Sequence, residues 1–91
     1  MFRKKRKYRI IFSKVYQAVY WGVWKEVTDA HILSVLNRLK DKYDFEIVNF
    51  DIKDCFCKSR VTIRCEKKCR NDIFIEFCNI LSGQIENVKI N

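Results

Sequence analysis

Residues Phe45 to Glu66, FEIVNFDIKDCFCKSRVTIRCE, alternate apolar and polar side chains twice over. Val48, Phe50 and Ile52 fall on one side of an extended chain, with Asn49, Asp51 and Lys53 on the other. Further on, Cys57, Val61, Ile63 and Cys65 oppose Lys58, Arg60, Thr62 and Arg64. A period of two marks a strand with one face on a core and one in water. The stretch therefore predicts two paired strands. Lys53-Asp54 is the most polar point between them and the expected turn, with Lys58-Ser59 as a second candidate. Neither has the Asn-Gly or Asp-Gly that the tightest hairpin loops favour.

The flanking segments supply the other elements. Thr28-Asp29 offers a helix N-cap, and Ile32, Val35, Leu36, Leu39 and Tyr43 then recur at three- and four-residue spacing. That spacing gives an amphipathic helix with Ser34, Asn37, Arg38, Lys40 and Asp41 in water. After a short charged connection, Glu66 to Arg70, either Asn71 or Asp72 can cap a second helix. Phe74, Phe77, Cys78 and Leu81 form its apolar stripe, and Gly83 sits where a left-handed residue ends a helix. Ile85, Val88 and Ile90 make a last short strand. At the other end Tyr8, Ile10 and Phe12 alternate with Arg9, Ile11 and Ser13, so the domain begins with a strand. Val15 to Trp24 is rich in β-branched and aromatic residues and contains Gly22, which favours extended chain over helix. One long strand bent midway and a hairpin both fit it.

Strand, helix, strand, strand, helix, strand is the order of an α+β, ferredoxin-like two-layer sandwich. It puts a four-stranded antiparallel sheet under two helices on one face, with a long or hairpin-like N-terminal strand. The 91 residues suit one domain. The net charge of +8 is concentrated in Arg3, Lys4, Lys5, Arg6 and Lys7; without them 14 basic residues face 11 acidic, a balance of +3. Residues 1–7 are thus expected as a basic flexible tail and 8–91 as a single α+β domain. The tail is a candidate contact for nucleic acid or an anionic membrane surface.

The chemistry-bearing residues are few. Cys55, Cys57, Cys65, Cys69 and Cys78 are odd in number and lack the paired C-x2-C knuckles of zinc sites. Reduced thiols in a cytoplasmic protein are the expectation, since the basic start leads into a strand and not into an apolar signal core. No metal and no cofactor is expected. His31 has no nucleophile assignable to it, and no glycine-rich phosphate loop or carboxylate cluster is present, so no enzyme activity is expected. Tyr16, Tyr20, Trp21 and Trp24 form the most unusual feature, an aromatic cluster suited to covering a partner subunit or to stacking on bases.

A basic lead into KYRIIF, a helix ending near Tyr43, FEIVNFDIK turning into RVTIRCE, and a final helix leading to IENVKIN together resemble an ACT-type regulatory domain. The likeness extends to the cytoplasmic C-terminal domain of the MgtC/SapB family of membrane proteins. The resemblance implies a module that dimerises or binds a small effector. The expected function is a small non-enzymatic binding or regulatory module, a homodimer or partner-binding protein. The alternative is a nucleic-acid-binding protein using the basic arm and the aromatics.

Overall fold

The computed structural model describes residues 4–91, with the side chains of residues 18–20, 23 and 24 excepted. Its elements are β1 (Lys5–Lys14), β2 (Gln17–Tyr20), β3 (Val23–Lys25), α1 (Asp29–Lys40), β4 (Phe45–Asp51), β5 (Lys58–Glu66), α2 (Lys67–Ile80) and β6 (Ile85–Ile90). Four strands form an antiparallel sheet in the order β4-β5-β1-β6, and β2 and β3 form a separate hairpin. This is an α+β fold with a four-stranded antiparallel sheet and two helices, compatible with a ferredoxin-like sandwich.

The core lies between the helices and one face of the sheet. Tyr8, Ile10 and Phe12 of β1 stand opposite Ile63, Val61 and Ser59 of β5, and direct cross-strand partners share a face. Ile32, Val35, Leu36 and Leu39 of α1 and Ile73 and Phe77 of α2 close over them. The Phe12 and Phe77 rings meet at 5.6 Å between centroids. Helix α1 starts where its sequence indicates: the Thr28 hydroxyl accepts from the His31 amide at 3.1 Å, satisfying one of the orphan donors of the first turn.

The structure departs from the sequence expectations, or decides between two of them, at five points. First, β1 begins at Lys5, so Lys5, Arg6 and Lys7 are strand and not tail; β5 extends far enough for Arg64, Cys65 and Glu66 to pair with them. Second, of the two forms expected for this segment residues 17–25 take the hairpin, and Gly22 at φ 75 supplies the left-handed residue that its two-residue loop needs. Third, Val48 is 41% exposed, not part of the core face. The β4–β5 register shifts between Ile47 and Asn49, a bulge that turns Phe45, Ile47, Phe50 and Ile52 all toward the core. Fourth, Cys55 and Cys57 occupy a loop, not a strand. The Asp54 side chain accepts from the Phe56 amide at 3.0 Å, the Asp54 carbonyl from the Cys57 amide at 3.2 Å, and Ser59 Oγ from the Lys53 amide at 2.8 Å. An aspartate that folds the chain back on itself in this way ends the strand. Fifth, α2 begins at Lys67, so the expected charged connection is its first turn, entered from an extended Glu66 without a side-chain cap.

Gly83 takes φ 81 in the turn after α2, as expected. In β6, Asn87 at φ 54 lies at a register shift, which brings Ile85, Val88 and Ile90 to the core side despite their uneven spacing.

Candidate functional site

The helices cover one face of the sheet, and among the described residues no helix covers the other. Cross-strand register fixes what that open face carries. On β1 it is Lys5, Lys7, Arg9, Ile11 and Ser13; opposite them on β5 stand Glu66, Arg64, Thr62, Arg60 and Lys58. The two central strands therefore set six cations against one acid. The remaining acids, Glu46, Asp51 and Glu86, sit on the edge strands β4 and β6, where Lys89 adds a further cation.

Few of these cations are neutralised. Lys5 Nζ lies 3.1 Å from Asp44 Oδ2, and Arg64 Nη1 lies 3.7 Å from Glu46 Oε2. Among the described residues, Lys7, Arg9, Lys58, Arg60 and Lys89 form no ion pair. Alternate residues of a strand are about 6.8 Å apart on one face and neighbouring strands about 4.8 Å apart. The open face is thus a ladder of like charges on a rigid frame, about 20 Å long from Arg64 to Lys58. Arginine presents a planar fork suited to phosphate oxygens, lysine a compact point charge.

The basic residues singled out from the sequence are split by the fold. Lys5 and Lys7 join the open face; Arg6, which pairs with Cys65, faces the helix side and is exposed. Lys4 stands beside Glu66, Lys67 and Lys68, and Arg3 lies outside the described residues. Arg9, Lys58, Arg60 and Arg64 were not among the sequence candidates. Their signal was available in the alternation of each strand, but it becomes a surface only once β1 is known to pair with β5.

The described members of the aromatic cluster, Tyr16 and Trp21, lie outside the strands of this face. Tyr16 is half exposed, and Trp21, at the tip of the β2–β3 hairpin, is 99% exposed. The side chains of Tyr20 and Trp24 lie outside the described residues. A further exposed ring, Phe56 in the β4–β5 loop, is 87% exposed. The hairpin and that loop share one end of the molecule. Glu26, just after β3, accepts from the Cys55 amide at 3.0 Å through Oε2. The buried Lys14 ammonium holds the same region together, 2.9 Å from Asp29 Oδ1 and 3.7 Å from Glu26 Oε1.

The remaining polar groups are scattered. Burial pushes the Cys65 and Cys78 thiols up, and burial with the Glu26 carboxylate pushes Cys55 up, so all three are held as thiols. Among the described residues no three His, Cys, Asp or Glu side chains stand close enough to hold a metal ion. His31 is exposed on α1 beside a cleft of about 340 Å³ lined by Lys25, Val27, Thr28 and Gln84. Among the described residues no helix is long and apolar enough to cross a membrane. No protein-family model, curated protein or solved structure matches this chain.

Proposed function

We propose that this chain is a small non-enzymatic binding module of ferredoxin-like βαββαβ architecture whose open sheet face docks on nucleic acid through the phosphate backbone. The hairpin β2–β3 is then an insertion between the first strand and the first helix. The observation that carries the reading is the ladder of cations on β1 and β5, of which Lys7, Arg9, Lys58 and Arg60 have no acidic partner among the described residues. Folding does not call for it, since like charges on a rigid frame repel. A polyanion offsets that repulsion and releases counterions as it binds.

Phosphates suit the surface better than the other partners considered. A second copy placed face to face would bring the two ladders together, which like-charge repulsion opposes. A membrane contact through this face would have little besides Ile11 and Val48 among its described residues to offer the acyl region. Bases have no aromatic ring to stack on among the face's described residues, so the contact is with backbone and is indifferent to sequence. Five free thiols fit a reducing, cytoplasmic setting for such a module.

The test is fluorescence anisotropy with a blunt 20-base-pair duplex across a salt series, using the intact chain and an Arg9→Ala/Arg60→Ala variant. Affinity is expected to fall steeply with salt, and the log-log slope to shrink by roughly one for each phosphate contact removed. Absence of binding at low salt, or a slope the variant does not change, would sink the reading.

A further inference from the structure

The cation ladder and the exposed rings are arranged in sequence along the molecule. The β5 row runs from Arg64 through Arg60 to Lys58, and Lys58 is the first residue of the strand. Two residues before it, Phe56 stands 87% exposed in the β4–β5 loop. The β1 row runs toward the same end, since Ser13 pairs with Lys58. Beyond Lys14 the chain continues into the β2–β3 hairpin, whose tip carries Trp21 at 99% exposure. The two ring-bearing loops are tied together at their bases by the Cys55 amide to Glu26 contact of 3.0 Å, and Lys14 in turn holds Glu26. The charge ladder thus holds no aromatic among the described residues, and two nearly bare rings stand past its end.

These two zones ask for different parts of a nucleic acid. Cations without rings read phosphates and tolerate bases that are paired and stacked on one another. Exposed rings with no apolar neighbour to cover them take the face of a base that has left its stack. Neither fully single-stranded nor fully paired nucleic acid uses both.

Resting on the nucleic-acid reading above, we propose that the preferred partner is a duplex bearing a single-stranded end, with the paired part on the open sheet face and the unpaired bases against Phe56 and Trp21. Phosphates of one duplex strand follow the Arg64–Lys58 row. Where the row stops, the strand passes the β4–β5 loop, and the first unpaired base stacks on an exposed ring. The lysine adjoining the loop, Lys58, holds the phosphate at the junction. Trp21, on the separate hairpin, serves the longer overhangs.

The experiment compares three probes with the same number of phosphates: a blunt duplex, a duplex shortened so that its five-nucleotide overhang restores the count, and a single strand. The overhang's first base is replaced by fluorescent 2-aminopurine. The overhang duplex is expected to bind roughly fivefold or more tighter than the blunt one, in line with stacking of a single base. Binding is expected to quench the 2-aminopurine, and Phe56→Ala to abolish both the quench and the preference while leaving blunt-duplex affinity unchanged. Phe56 is exposed, so that variant retains the fold; Trp21→Ala is the second, independent variant, expected to reduce affinity only for the overhang probe. Blunt and overhang duplexes binding alike with a steep salt slope would overturn the junction preference and leave the phosphate reading standing. A single strand binding as tightly as the overhang duplex would also overturn it. No binding of any probe would remove both.

Discussion

Strand β1 shows two different faces to its surroundings. Toward the helices it presents Tyr8, Ile10, Phe12 and Lys14, all buried; away from them it presents Lys7, Arg9, Ile11 and Ser13. The covered side is dictated by packing. Each of its apolar residues has neighbours on α1, α2 or β5, and there is little freedom in what can stand there. The open side has no such neighbours, and the stability of the fold would be served as well by mixed or neutral polar residues. Cations gathered there against mutual repulsion are the ground of the proposed nucleic-acid contact, whereas apolar residues gathered opposite report only a core. The same strand therefore carries the folding signal and the signal from which a function is proposed, separated by one residue of register.

The largest expected effect tests that separation directly. Phe12 is fully buried against Phe77, and Phe12→Ala is expected to lower unfolding free energy by about 3–5 kcal/mol. Arg60→Ala, on the open face, is expected to stay within about 0.5 kcal/mol of the parent while weakening duplex binding. Urea denaturation of both variants decides it. A stability loss at Arg60 as large as that at Phe12 would mean that the open face is structural.

Lys14 is the exception on the covered side, a lysine only 5% exposed among apolar residues. Its ammonium lies between Asp29 and Glu26, whose side chains keep 65% and 26% of their exposure. Removing one partner of a fully buried pair costs about 3–5 kcal/mol, and water at these carboxylates reduces that. Lys14→Ala is therefore expected to cost about 1–3 kcal/mol. Amide exchange should localise the damage: the Cys55 amide, bound to Glu26, is expected to lose protection before the β1–β5 ladder does. Uniform loss across the sheet would place Lys14 in the global core instead.

Much of this was legible in the chain and some of it was not, for identifiable reasons. Ile32, Val35, Leu36 and Leu39 repeat at helical spacing, and Thr28 caps them, so α1 could be read without ambiguity. Val48 could not be placed, because a bulge adds one residue to a strand and nothing in FEIVNFD marks where it falls. The start of α2 is not legible, because Glu66 provides no capping bond and Lys67 to Arg70 reads as a connection. Residues 15–24 fit a bent strand or a hairpin equally, and Gly22 is the local sign of the hairpin. The open face was half legible: Lys58, Arg60 and Arg64 could be placed on one side of their strand, but joining them to Lys7 and Arg9 requires the β1–β5 register. That pairing spans the chain and has no local sequence signal.

Gly83 and Gly22 extend the contrast from faces to ends. Both take left-handed backbone, at φ 81 and 75, and a Cβ on either would meet nothing within 4 Å. The expected cost of alanine is therefore conformational, about 1–2 kcal/mol. At Gly83 it should appear in global unfolding, since the turn carries Gln84 and Ile85 into the sheet. At Gly22 it should not, because the hairpin pairs only with itself. Gly22→Ala is expected to leave the thermal midpoint unchanged and to alter only the overhang preference. A global loss from Gly22→Ala would show that the hairpin is part of the folding unit.

The smallest effect concerns how charges are held on the helix side. Lys42 Nζ meets Glu76 Oε1 at 2.8 Å, joining the end of α1 to α2. The Lys42 ammonium first, and the Tyr43 hydroxyl second, hold the Glu76 carboxyl below its ordinary range. A carboxylate lowered by folding stabilises the native state above its unfolded value, and that contribution is lost as pH falls through the folded one. Parent stability should therefore decline as pH drops below about 4.5, and Glu76→Gln should flatten that part of the curve. Both partners reach water, so the difference between the curves should be modest. Arg60→Ala should leave the acid limb unchanged, because Arg60 has no carboxylate to depress. If it flattens the limb as Glu76→Gln does, the cations of the open face are paired in solution, and their availability to phosphates is lost with that pairing.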